Sequence, residues 1–173
     1  MKKLIFTVLF LAIGNLYAND VSFFGVDINR NDNTININQN STSTYDTSYE
    51  FQLGYMSNDR RHYISYAKLL DKNDIKYENV LYNYDLFLKR YKRATPYIGI
   101  HAGVGILKYN NQHQDTFDYG LKLGVLQDLT YSSHIDFGLK YSNANDVYIG
   151  DLKVNEVKSL YLGITIGFED LLY

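Results

Sequence analysis

The chain has 173 residues, enough for one domain. With no cysteine and a formal net charge of −2, it has no disulfide framework, thiolate zinc site or cysteine nucleophile, and it lacks the basic surplus of a nucleic-acid binder. Its 18 Tyr, 9 Phe and 12 Gly, against Pro 1 and Trp 0, point to β structure, because aromatic side chains suit pleated surfaces.

Lys2 and Lys3 precede an apolar run, Leu4 to Ile13, and Leu16-Tyr17-Ala18 follows with a small residue at its end. A basic start, a short apolar stretch and a small residue describe a secretory signal peptide, 1–18, cut after Ala18. The run is too short for a spanning helix, which needs ~20 residues. The expected mature chain, 19–173, carries a charge of −2 − 2 = −4, since two lysines and no acids leave.

From there, period-two patterns dominate. Eight are legible. Phe24, Val26 and Ile28 share one face, as do Tyr49, Phe51, Leu53 and Tyr55. The third is short, Ile64 and Tyr66 against Ser65 and Ala67. The fourth has Val80, Tyr82, Tyr84, Leu86 and Leu88; the fifth Ile98, Ile100, Ala102, Val104 and Ile106. The sixth has Phe117, Tyr119, Leu121, Leu123 and Val125; the seventh Ile135, Phe137, Leu139 and Tyr141. The eighth has Leu160, Leu162, Ile164, Ile166 and Phe168. Strict alternation marks strands with two chemically different faces.

The other face holds Glu50, Gln52, Asn83, Asp85, His101, Asp118, Lys122, His134, Asp136, Lys140 and Thr165. It also holds every glycine after the signal except Gly150. Glycine weakens a strand, so its concentration on one face implies a surface where space is short.

The connections alternate in length. Asn29 to Thr47 and Ser142 to Glu156 are long; Leu70 to Lys76 and Tyr109 to Asp115 are moderate. Ser57 to Arg60, Arg90 to Thr95 and Gln127 to Ser132 are short. This is the rhythm of an up-and-down barrel in an outer membrane, with tight turns in the periplasm and longer loops outside. The fragment Thr34-Ile35-Asn36-Ile37-Asn38 alternates as well, which extends strands beyond the membrane as a hairpin.

Alternation does not say which face is inside, since a soluble lipocalin-like barrel turns its apolar side inward. Three arguments favour the polar face. An eight-stranded interior is only just wide enough to be filled by side chains, and roughly thirty bulky apolar groups would overfill it. The polar face mixes signs, Glu50, Asp85, Asp118 and Asp136 against Lys122 and Lys140, so enclosed charges can pair. Tyrosine on the apolar face suits a membrane boundary, ring in lipid and hydroxyl at the headgroups.

The signal, the eight amphipathic runs, the stretch Pro96-Tyr97-Ile98-Gly99-Ile100-His101-Ala102-Gly103-Val104-Gly105 and the run Leu160 to Phe168 resemble the small eight-stranded outer-membrane β-barrel family. That group includes the OmpA transmembrane domain, OmpX and opacity proteins and is often labelled "porin family". The resemblance covers the whole mature chain. It implies an all-β, antiparallel, up-and-down transmembrane barrel with a side-chain-filled lumen and both termini in the periplasm of a Gram-negative-type bacterium. It also implies outer-membrane lipid and lipopolysaccharide as surroundings, assembly by the barrel-assembly machinery and a monomeric state. In such chains an aromatic closes the last strand. Here Phe168 closes the alternation and five residues follow, and counting from Tyr173 instead would put Glu169 on the lipid parity.

Candidate chemistry is sparse. The glycines alternate within strands and open no helix, so they form no phosphate loop. His101, His134 and Asp136 have no metal-ligand spacing. Some small outer-membrane barrels modify lipid A with a His and a Ser. His62 and Ser65 fall on opposite parities, and His113 lies in a loop without a Ser–carboxylate set, so no nucleophile–base pair within ~3 Å can be built. No catalytic, metal or cofactor residue is expected. The expected polar lumen network is Glu50, Asp85, His101, Asp118, Lys122, Asp136 and Lys140. The expected role is structural or surface-interactive, with an extracellular partner through the loops and no open conduction. The alternatives are a soluble barrel binding an apolar ligand and a lipid A-modifying enzyme.

Overall fold

A computed structural model of the full chain describes residues 21–37, 40–72, 75–109, 112–149 and 152–168. The proposed cleavage after Ala18 and the question of Glu169 and Tyr173 lie outside these residues. Eight strands form, in chain order: β1 (Val21–Ile37), β2 (Asn40–Met56), β3 (Arg60–Lys72), β4 (Ile75–Phe87), β5 (Ala94–Tyr109), β6 (Gln112–Asp128), β7 (His134–Ile149) and β8 (Leu152–Gly167). Each pairs antiparallel with its chain neighbours, and β1 pairs with β8, from Phe23 opposite Gly167 to Ile37 opposite Leu152, closing the barrel. Closure leaves no unpaired strand edge, the condition lipid imposes on a spanning sheet.

The side chains sort by parity. Phe24, Ile28, Phe51, Leu53, Ile100, Leu121, Leu123, Leu139 and Leu160 are exposed on the outside. Asp27, Glu50, Gln52, Asp85, Asp118, Lys122, Asp136 and Lys140 are buried inside. The soluble barrel with an apolar interior is therefore excluded. The interior does carry two apolar clusters. Phe23, Met56, Tyr63, Tyr97, Leu126 and Tyr161 lie toward the end with the short turns. Ala67, Leu69, Ile75, Tyr77, Leu107, Ala144 and Val157 lie toward the other end.

The strands run 13 to 17 residues, longer than the ~9–11 that cross a bilayer when tilted. This corrects the expected loops. Asn29 to Thr47 is mostly hairpin, paired from Arg30 opposite Thr47 to Ile37 opposite Asn40. Ser142 to Glu156 continues β7 and β8, with a register shift between Asn143 and Val147. His113 stands on β6 opposite Lys108, not in a loop. The reason is that polarity beyond the bilayer frees a side chain to meet water, but the backbone ladder still satisfies N–H and C=O. Thr and Ile in these segments favour it.

Candidate functional site: the filled lumen

The short turns at one end set the register of the inward side chains. Ser57 N–H donates to the Arg60 carbonyl at 2.9 Å, which starts β3 one residue before Arg61. Inward parity on β3 then falls on Arg61, Tyr63, Ser65, Ala67 and Leu69, all buried.

Arg61 organises this end of the lumen. Its side chain is fully buried. Nε and Nη2 donate to Asp85 Oδ2 at 3.0 and 2.7 Å, and Nη2 donates to Asp136 Oδ2 at 2.8 Å. The guanidinium lies 5.0 Å from the ring centres of both Tyr63 and Tyr97. Lys122 Nζ sits 3.5 Å from Asp85 Oδ2, donates to the Tyr63 hydroxyl and lies 5.3 Å from the Tyr161 ring. The Tyr97 hydroxyl donates to Asp136 Oδ1 at 2.8 Å and contacts the Tyr161 hydroxyl. Two cations, two carboxylates and three tyrosines thus interlock across β3, β4, β5, β6, β7 and β8.

The other expected lumen residues form separate groups. Lys140 Nζ donates to Glu50 at 2.9 and 3.2 Å, joining β7 to β2 through the centre. Asp118 accepts from the Tyr77 hydroxyl and from Asn79 Nδ2 at 2.9 Å, and it makes no ion pair among the described residues. His101 Nε2 bonds Ser142 Oγ at 2.9 Å. All seven expected lumen residues therefore face inward, as an ion-pair cluster and several smaller bonded sets, not as one network.

Glycine provides the space. Gly124 and Gly138 face each other on β6 and β7. A Cβ on Gly124 would lie 2.5 Å from the Tyr161 hydroxyl and 2.5 Å from Tyr97 Cζ. One on Gly138 would lie 2.2 Å from the Leu123 carbonyl oxygen and 2.4 Å from the Tyr161 hydroxyl. The pair makes a slot into which two tyrosines reach.

Sequence reasoning missed Arg61, Asp27 and the inward tyrosines Tyr63, Tyr77, Tyr97 and Tyr161. Arg61 reads as the end of the Asn58-Asp59-Arg60 turn. Its signal is parity, since it stands two residues before Tyr63 and four before Ser65. Asp27 is opposite Glu50 and accepts from Gln52 Nε2.

The candidate chemical sets are dispersed. His101 is on Ser142, His134 is 3.0 Å from Asp128, and Asp136 is held by Arg61 and Tyr97. His62 points outward with its ring 5.7 Å from that of Tyr55, while Ser65 points inward and accepts from Asn83.

The architecture is that of the small outer-membrane β-barrels: closed, eight-stranded, apolar outside and polar within. The structure is similar to neisserial surface protein A (NspA), with a TM-score of 0.69, 18% identity, and coverage of 84% of this chain and 96% of that one. It is similar to outer membrane protein H (OprH) of P. aeruginosa, with a TM-score of 0.63, 21% identity, and 86% and 99% coverage. It also resembles Ail, the attachment invasion locus protein of Yersinia pestis, solved with the heparin analogue sucrose octasulfate; the TM-score is 0.52, identity 14%, and coverage 87% and 99%. No protein-family model matches the chain. No curated protein matches it in sequence.

Proposed function

We propose that this chain is an outer-membrane protein whose lumen is closed by its own side chains and whose function lies on the strands that project beyond the bilayer. The observation that carries this reading is the fully buried Arg61, tied to Asp85 and Asp136. An eight-stranded interior has room for side chains and little else. A charged path for ions would leave such a group in water.

The apolar belt supports an orientation with both termini in the periplasm. Outward apolar residues begin next to the short turns and stop well before the opposite end: on β1, Phe24, Val26 and Ile28 give way to Arg30 and Asp32. The surplus length therefore projects from the end away from the turns. Short turns in the periplasm and long hairpins outside put both termini in the periplasm. Lipopolysaccharide, the barrel-assembly machinery in biogenesis and a monomeric state belong to this reading.

The projecting hairpins supply the interaction surface. Lys76 stands directly opposite Lys108 on their outer face, with Glu78 3.7 Å from Lys108. Two exposed lysines side by side on a projecting hairpin present positive charge to an anionic group. A sulfated oligosaccharide, the ligand class in the Ail structure, is therefore the first probe for an extracellular partner. An enzymatic role has less support, because His62 and Ser65 occupy opposite faces of β3.

Planar-bilayer recording tests the closed lumen. The purified protein is expected to show no large, steady conductance. A stable open level of porin size would overturn the proposal.

A further inference from the structure

The connection between β4 and β5 has an unusual composition. Leu88-Lys89-Arg90-Tyr91-Lys92-Arg93 holds four cations in six residues, and all six residues are exposed. The backbone is pinned. Tyr91 and Ala94 exchange hydrogen bonds of 2.9 and 3.0 Å, leaving Lys92 and Arg93 at the tip. The Asp128 N–H donates to the Arg93 carbonyl at 2.8 Å, which fastens the tip to β6. Lys92 has φ 55°, a conformation that glycine or asparagine adopts more readily. The Lys92 ammonium lies 5.6 Å from the centre of the Tyr91 ring.

Arg90 is engaged, paired with Asp128 and donating to the Lys92 carbonyl at 3.0 Å. Lys89, Lys92 and Arg93 have no ion-pair partner among the described residues. Elsewhere on this rim, Asp59 sits 3.9 Å from Arg60, and the connection 129–133 carries no charge. The described rim therefore holds Arg60, Lys89, Arg90, Lys92 and Arg93 against Asp59 and Asp128, a net of 5 − 2 = +3. The opposite end mixes its charges, as in the Lys158–Glu156 pair at 3.2 Å.

The level of this patch is fixed by its neighbours. Leu86 at the end of β4 and Leu88 just after it finish the apolar belt here. Tyr91 is 72% exposed and Tyr131, in the β6–β7 connection, 85%. Exposed tyrosines at the edge of an apolar belt sit at headgroup depth. The three available cations are then one to five residues beyond the acyl region, where phosphodiesters lie.

We propose that the β4–β5 turn is a docking site for anionic phospholipid headgroups of the periplasmic leaflet. A basic segment beside a bilayer is attracted to anionic lipid, and the attraction fades within a Debye length. A fixed hairpin presents its charges without first ordering a loop. The leaflet assignment rests on the orientation proposed above; the phosphate preference does not.

The test has two arms. The folded protein is equilibrated in detergent with equal phosphatidylglycerol and phosphatidylcholine of matched chains, and retained lipid is counted by native mass spectrometry. The wild type is expected to retain phosphatidylglycerol preferentially. Each of Lys89→Gln, Lys92→Gln and Arg93→Gln should lower the ratio about fivefold at low salt, while Lys158→Gln, at the opposite end, leaves it unchanged. A wild type without preference, or a triple variant that keeps the wild-type ratio, would overturn the site. In the second arm, Tyr131→Cys, the single cysteine in the chain, is expected to react with an impermeant maleimide only after the outer membrane is permeabilised. Labelling in intact cells would overturn the leaflet assignment and the orientation, while the lipid ratio would still judge the headgroup preference.

Discussion

Arg61 on β3 and Asp136 on β7 meet across the lumen at 2.8 Å, although 75 residues separate them in the chain. The contact spans strands that are not neighbours in the sheet. It therefore braces the barrel wall from within, where the sheet's own ladder acts only between adjacent strands.

Removing Arg61 leaves Asp136 buried without its cation and Asp85 with Lys122 alone. Arg61→Met is expected to destabilise the folded barrel by about 3–5 kcal/mol. Adding Asp136→Asn to that variant should recover much of the loss, since the uncompensated charge disappears while Asp85 keeps Lys122 as its partner. Urea unfolding in detergent, followed by circular dichroism, measures both.

The two glycines of the tyrosine slot differ in what a methyl group would strike. Gly124→Ala meets the ends of Tyr97 and Tyr161, which can retreat; Gly138→Ala meets the Leu123 carbonyl, which is held in the sheet. Both changes overpack the lumen, at about 1–3 kcal/mol, and Gly138→Ala is expected to be the worse. The same unfolding measurement ranks them. Equal effects would remove the backbone from the explanation.

On the outer face the decisive variable is depth. Leu121 is 60% exposed in the middle of the apolar belt. Leu121→Arg is expected to cost about 2–4 kcal/mol in a lipid bilayer, and a charge introduced at Thr34, past Arg30 and Asp32 on the outer face of β1, about 0–1 kcal/mol. Unfolding titrations in lipid vesicles give both values. Equal costs at the two positions would mean that no lipid surrounds this face.

The β1–β2 hairpin is expected to be dispensable for folding. Its outer part is paired strand to strand, from Asn33 opposite Thr44 to Ile37 opposite Asn40. Replacing residues 33–44 with a short Asn-Gly turn should leave the folded band on unheated SDS gels intact, because the ionic lumen lies below. Loss of that band would show that the projection helps to hold the barrel.

Much of this was legible in the sequence because strand parity is a robust signal. One apolar position out of two, repeated over Phe117 to Val125 or Ile98 to Ile106, fixes both the strand and its faces. Lumen capacity then chooses which face turns inward. Two things were hidden. The boundary between strand and loop was misplaced wherever the outer face turned polar, as at Arg30 and His113, since hydrophobic alternation reports lipid contact and not backbone pairing. The partners of the inward charges were also hidden. Nothing in the spacing of Arg61, Asp85 and Asp136 shows that three distant strands will bring them together; barrel closure and stagger decide that.

The orientation of the two faces can be read most directly by spin labels along β6. The chain has no native cysteine, so single-cysteine variants from Phe117 to Val125 can each carry one nitroxide in lipid bilayers. Oxygen accessibility is expected to peak at Phe117, Tyr119, Leu121, Leu123 and Val125 and to fall at Asp118, Gly120, Lys122 and Gly124. A profile without the two-residue period, or one with its maxima on the even positions, would contradict an apolar exterior around an ion-paired core.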